Sequence, residues 1–87
     1  MKHYTSSKFR DLYQRLPAEI QKLADKNYEL LKGNPTHPSL RLKCIQNELW
    51  SVRIGDHYRA IGIKDEDRFQ WIWIGSHESY NKITKKA

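Results

Sequence analysis

Two arginines, a histidine and a tyrosine in the second half of the chain have side-chain types that can gather around a phosphate: Arg53, Arg59, His77 and Tyr80. They stand on or beside short apolar runs, Trp50-Ser-Val-Arg-Ile-Gly-Asp-His-Tyr-Arg-Ala-Ile-Gly-Ile and Trp71-Ile-Trp-Ile-Gly-Ser-His-Glu-Ser-Tyr80. Strands hold side chains rigidly, so polar groups mounted on them converge on one scissile bond instead of sweeping through solvent. Breaking an RNA backbone without a metal requires a base for the 2′-OH, cations for the charge that gathers on phosphate, and an acid for the leaving 5′-oxygen. A guanidinium fork bonds two phosphate oxygens at once, and an imidazole exchanges protons near neutral pH. RNA cleavage is therefore the chemistry to test. Each residue also has a plainer use, since most strand arginines are solvated surface cations.

Other chemistries find less support. His3, His37, His57 and His77 are far apart and Cys44 stands alone, so no metal-ligand spacing is visible and neither a metal nor a cofactor is expected. Gly55, Gly62 and Gly75 do not make a phosphate loop. Ser76-His77-Glu78 are sequence neighbours, which does not build a nucleophile, base and orienter relay.

The elements that must position these residues follow from periodicity. Ser6 or Ser7 can cap a helix with Phe9, Leu12, Tyr13 and Leu16 on one face. Pro17 ends it and opens a second helix whose inner face carries Ile20, Leu23, Ala24, Tyr28 and Leu31, stopped by Gly33-Asn34-Pro35. After this hairpin, Leu40, Leu42 and Cys44 alternate with Arg41 and Lys43, the period of a strand with one basic face. Strands over 49–54, 58–63 and 69–74 come next, a further strand over Lys2 to Thr5 is possible, and Lys82 to Ala87 reads as a frayed tail. The expected architecture is α+β, an N-terminal helical hairpin on one face of a mostly antiparallel four- or five-stranded sheet.

Register decides whether the arginines meet. A three-residue loop, Gly55-Asp56-His57, pairs Arg53 with Arg59 and puts Trp50, Val52, Ile54, Tyr58 and Ala60 on one apolar face, whereas a two-residue loop would separate the arginines. A turn at Asp65 to Arg68 then sets Trp71 against Gly62 and Trp73 against Ala60. The opposite face is expected to carry Ser51, Arg53, Arg59, Ile61, Ile63, Ile72 and Ile74, either as a partner site or beneath the C-terminal segment.

The 87 residues suit one domain over 1–87, short enough to bury only about 60% of its unfolded surface. Sixteen Lys and Arg against ten Asp and Glu give a formal charge of +6, which favours an anionic partner, nucleic acid or an acidic protein. No apolar run approaches the roughly 20 residues of a membrane span. The start lacks the apolar stretch of a secretory signal and the one cysteine cannot form an internal disulfide, so the expected location is cytoplasmic.

Several motifs resemble one family together: Leu-Pro between the helices, Asn34-Pro35 with His37-Pro38-Ser39-Leu40 ahead of the sheet, Trp50-Ser-Val-Arg, Tyr58-Arg59, and Ile74-Gly75-Ser76-His77 leading to Tyr80. Over nearly the whole chain the pattern is similar to the RelE/ParE superfamily, the toxins of type II toxin-antitoxin pairs. The resemblance implies a toxin with a cognate antitoxin as partner. RelE-like members cut mRNA in the ribosomal A site without a metal, whereas ParE-like members poison DNA gyrase and lack the nuclease set. A third alternative is an inactive relative that only binds its antitoxin. On the nuclease reading Arg53 and Arg59 match basic strand positions, His77 falls where the family often has Arg or His, and Tyr80 matches a C-terminal tyrosine that stacks on a base or shares in proton transfer. Arg41, Lys43, Lys82 and Lys85 would then hold RNA, with Lys86 adding diffuse charge. The chain departs from the strongest nucleases at Ser51, where they carry a second basic residue.

Overall fold

The computed structural model describes residues 2–85. Lys86 and Ala87, which the sequence assigns to the tail, lie outside them. Strand β1 (Lys2–Thr5) leads to helices α1 (Ser7–Gln14) and α2 (Ala18–Gly33). A short 3₁₀ turn at Pro38–Leu40 precedes β2 (Lys43–Gln46), β3 (Leu49–Ile54), β4 (Tyr58–Asp65) and β5 (Arg68–Ser76), and the chain closes in α3 (His77–Lys85). The five strands run in the order β1-β5-β4-β3-β2, antiparallel except for β1, which lies parallel to β5. This is the expected α+β arrangement, with the possible first strand formed.

Ser6 caps α1, its Oγ accepting the Phe9 N–H at 3.1 Å. Pro17 stands at the N-cap of α2, where its missing N–H costs nothing. The hairpin is clamped by Tyr13, whose hydroxyl donates to the Asp25 carboxylate at 2.7 Å and whose carbonyl accepts from Gln21 at 2.9 Å. Both helices pack on Val52, Ile54, Ala60, Phe69, Trp71 and Ile74. A cavity of about 550 Å³ opens between hairpin and sheet, on the side away from the paired arginines. No described helix is long and apolar enough to cross a membrane.

The turn between β3 and β4 has three residues, so Ile54 faces Tyr58 and Arg53 faces Arg59, the pairing expected from the sequence. Gly55 makes this turn possible: its φ of 62° is left-handed, and a Cβ there would come within 2.6 Å of Leu23 Cδ2. Between β4 and β5 the register also runs as expected as far as Trp71 opposite Gly62. The Phe69 and Trp71 rings stack with centroids 4.6 Å apart. They lie so close over Gly62 that a Cβ would meet Phe69 at 2.7 Å.

Three expectations need correction. Trp73 faces Ile61, not Ala60, because a β-bulge falls between the pairs at Gly62 and Ile61, and Ile72 is the extra residue. Two stacked rings already fill the layer beside Ala60, so the bulge turns Trp73 away and brings Ile74 into the core, where it is 1% exposed instead of lying on the basic face. The strand expected from Leu40 begins at Lys43: Leu40 is buried in the 3₁₀ turn, and Arg41 takes a left-handed φ of 46° that breaks the alternation. The segment from Lys82, expected to fray, continues as α3 through Lys85. That helix folds back over the far face and shields it, burying Ser51, Ile61 and Tyr80.

Edge strand β1 is tied down by His3, whose Nδ1 accepts the Trp71 indole N–H at 3.2 Å. Burial, together with nearby positive charge that includes Lys32, holds this imidazole below its ordinary value. A depressed histidine stabilises the fold while neutral, so its contribution is complete above about pH 6.5 and falls away as pH drops toward the lower folded value. Thermal denaturation on either side of pH 6.5 is expected to show a loss of stability on acidification that is smaller in His3→Gln. An identical loss in the variant would assign the effect to other groups.

Candidate catalytic site

Arg59 leaves the middle of the sheet on the face that α3 covers. Its Nε donates to His77 Nδ1 at 3.1 Å, and its guanidinium carbon lies 5.1 Å from the centre of the Tyr80 ring. The His77 and Tyr80 rings are nearly parallel, with centroids 6.4 Å apart. Three of the four residues singled out from the sequence thus form one cluster. His77 is the first residue of α3, and its backbone N–H donates to the His57 carbonyl at 2.7 Å. That bond fixes the strand-to-helix corner and sets the imidazole toward Arg59.

These contacts define the state of each group. Because His77 Nδ1 accepts a hydrogen bond, the neutral ring carries its proton on Nε2. Nδ1 becomes a free base only when Arg59 moves off it. Nη1 of Arg59 is buried with no hydrogen-bond partner among the described residues. Such a donor costs roughly 1 to 3 kcal/mol when unsatisfied, and being buried it meets an outside acceptor only if the guanidinium shifts from its place beneath α3. Tyr80 is 6% exposed and its hydroxyl donates to Ser51 Oγ at 3.2 Å. A phenol bound in this way holds α3 on the sheet and stacks under a guanidinium.

Arg53 is opposite Arg59 in register, yet its side chain bends to the turn. Its Nε donates to the Gly55 carbonyl at 2.8 Å and its Nη2 pairs with the Asp56 carboxylate. The Asp56 side chain is mostly solvent-exposed, and an exposed ion pair of this kind is worth at most about 1 kcal/mol, so a phosphate can compete for Arg53. Asn27 of α2 donates to the Arg53 carbonyl at 3.0 Å and ties the strand to the helical layer.

The four candidate RNA contacts are all exposed and do not form one cluster with the arginines. Lys43 lies opposite Ser51 and so shares the arginine face, at the sheet edge. Arg41 stands outside the strands, and Lys82 and Lys85 are on α3. Among the described residues, no group of three His, Cys, Asp or Glu side chains is placed to hold a metal ion. Two residues were missed as participants. Ser51 reads as an absent basic residue but is fully buried as the partner of Tyr80. His57 lies 20 positions from His77, and only the β4 to β5 register, with Tyr58 opposite Ser76, brings the two to the same end of the sheet.

Among solved structures, the chain is similar to the YoeB/ParE toxin from Agrobacterium tumefaciens, with 20% identity over 88% of this chain and 99% of that one and a TM-score of 0.69. It is also similar to a chain of the RelB-RelE antitoxin-toxin complex from Methanococcus jannaschii, at 17% identity over 92% and 96% with a TM-score of 0.73. YafQ from E. coli gives a TM-score of 0.74 at 10% identity over 91% and 96%. At these identities the likeness establishes the fold. No curated protein matches the sequence significantly. The sequence does match the family model of the ParE-like toxin domain over residues 18–82, a span that runs from the start of α2 into α3 and contains Arg53, Arg59, His77 and Tyr80. With most of its length inside that match and the fold of RelE and YoeB around it, the chain belongs to the ParE-like toxin family.

Proposed function

We propose that this protein is the toxin of a toxin-antitoxin pair, an endoribonuclease that cuts mRNA on the ribosome without a metal and is held inactive by a cognate antitoxin in the cytoplasm. The observation that carries the reading is the contact of Arg59 with His77 over the Tyr80 ring, an arginine, an imidazole and an aromatic plane on one rigid corner. A phosphate arriving at Arg59 gives Nη1 its missing acceptor and draws the guanidinium from His77 Nδ1. Nδ1 then takes the proton of the 2′-OH, whose oxygen attacks phosphorus and expels the 5′-oxygen, leaving a 2′,3′-cyclic phosphate. Arg53 and Arg59 hold the charge that builds on the phosphoryl oxygens. His57, exposed beside His77, is assigned the protonation of the 5′-oxygen. Lys43, Arg41, Lys82 and Lys85 supply longer-range attraction to RNA.

Primer extension on a message under translation, with chromatography of the new ends, tests the proposal. Cuts ending in 2′,3′-cyclic phosphate are expected; an intact message at matched ribosome levels would contradict it. Tyr80→Phe separates structural from chemical roles for the phenol. It is expected to cost about 1 kcal/mol of stability through the lost bond to Ser51 while leaving the cutting rate near wild type. A collapse of cutting in a fully folded Tyr80→Phe protein would make the hydroxyl a proton carrier.

A second reading, inhibition of DNA gyrase without nuclease chemistry, is favoured by Ser51. The strongest RelE-like nucleases carry a basic residue there, whereas here the position is sealed beneath α3.

A further inference from the structure

A β-bulge breaks the ladder and re-aims the side chains that follow it, and bulges gather beside functional sites. In β5 the extra residue, Ile72, sends Trp73 to the arginine face, opposite Ile61. Trp73 is only half-buried there. Its ring lies along the strand over Gly75, where an added Cβ would come within 2.6 Å of Trp73 Cζ2. Gly75 is the register partner of Arg59, so the indole occupies the place where a side chain facing Arg59 would stand. Farther along the same face, Tyr4 of β1 lies opposite Gln70, itself opposite Ile63, and Tyr4 is 48% exposed at the sheet edge. Lys2 and Arg68 are paired in register two residues from Tyr4 and Gln70, on the same face, and neither forms a salt bridge among the described residues. Asp65 faces Arg68 in register without forming an ion pair with it.

We infer that Trp73 is a stacking platform for a base of single-stranded RNA beside the phosphate held by Arg59, with Tyr4 a second platform where the strand leaves toward the sheet edge. The inference deepens the nuclease reading and rests on it for placing the scissile phosphate at Arg59. A ring set on a polar face between cations offers a flat π-surface that any base can cover. An acidic peptide would answer the charges of Lys2, Arg59 and Arg68 and leave the ring faces unused. Cations interleaved with aromatic rings match a strand that alternates phosphate and base. Because every base has a π-face, Trp73 positions the strand without selecting its sequence, beyond a preference for bases that stack strongly.

The test measures binding of short labelled 2′-O-methyl oligoadenylate, which lacks the attacking hydroxyl and stays intact, to the full-length protein by fluorescence anisotropy. An abasic strand of equal length and polyglutamate are the comparisons. Wild type is expected to bind oligoadenylate about tenfold more tightly than the abasic strand. Trp73→Leu keeps apolar bulk but loses the flat face, and is expected to lose most of that preference at an unchanged salt slope, since no charge is removed. Trp73→Phe is expected to restore part of it, and Tyr28→Leu, which removes a 37% exposed ring from the helical layer, to keep all of it. In the wild type the Trp73 indole N–H resonance is expected to shift with oligoadenylate and not with the abasic strand, a readout independent of how any variant folds. Equal binding of the two strands by wild type, an unshifted Trp73 resonance, full preference in Trp73→Leu, or polyglutamate bound as tightly as oligoadenylate would each overturn the inference. Message cutting is read separately. Base-dependent binding at Trp73 without cutting overturns the nuclease reading and leaves the platform, whereas cutting without base-dependent binding overturns the platform alone.

Discussion

Arg59→Ala is expected to slow mRNA cutting by a factor of about 10² to 10³, the effect of losing one preorganised charge contact worth about 2.7 to 4 kcal/mol at the transition state. Arg59 joins the other two members of the cluster, through Nε on His77 and its guanidinium over Tyr80. On the proposed mechanism its removal takes away a phosphate ligand, and it also removes the hydrogen bond that holds the imidazole. Lys85→Ala is the control, because Lys85 is an exposed residue in the last turn of α3 that contributes only diffuse charge. That change is expected mainly to soften the salt dependence of RNA binding. Arg59→Lys tests the geometry, since an ammonium keeps the charge but loses the planar fork. Primer extension with each purified variant gives the rates, and cutting by Arg59→Ala equal to wild type would remove Arg59 from the mechanism.

Phe69→Ala is expected to destabilise the fold by about 3 to 5 kcal/mol. The ring is 2% exposed, stacks on Trp71 and lies against Gly62, a site with no side chain of its own to move into the space. For a domain of this size that loss is a large share of a total of roughly 5 to 15 kcal/mol. Urea denaturation is expected to show a lower midpoint at an unchanged slope. A loss under about 1 kcal/mol would mean that neighbouring side chains collapse into the cavity.

The two helices were legible in the sequence because their apolar faces repeat at the helical period and their ends carry Ser6, Pro17 and Asn34-Pro35. The Arg53 to Arg59 pairing was legible too, since only a three-residue turn put the apolar residues on one side. The bulge at Ile72 was not, because it settles a contest among three large rings for one layer, and no local pattern encodes that contest. Helix α3 was hidden for a different reason. It follows β5 with no intervening turn residues, and Lys82 and Lys85 obscure a short face on which Tyr80 alone is buried.

The site divides along the same line. Residue types together with the family resemblance singled out Arg53, Arg59, His77 and Tyr80, but what joins the last three depends on α3 folding back across the sheet. The hydrogen bond from Tyr80 to Ser51 spans 29 positions, and from sequence alone Ser51 looked like a missing cation. Arg53 was placed correctly by register, while its engagement with Asp56 depends on the side-chain path around the turn.

Induction of the protein in growing cells, with mRNA ends and gyrase-linked DNA breaks measured on the same culture, tests the central claim most directly. The account predicts messages cut within translated regions, new ends carrying 2′,3′-cyclic phosphate, no rise in DNA breaks, and loss of the cuts in Arg59→Ala. Intact messages accompanied by gyrase-linked breaks that persist in Arg59→Ala would contradict it.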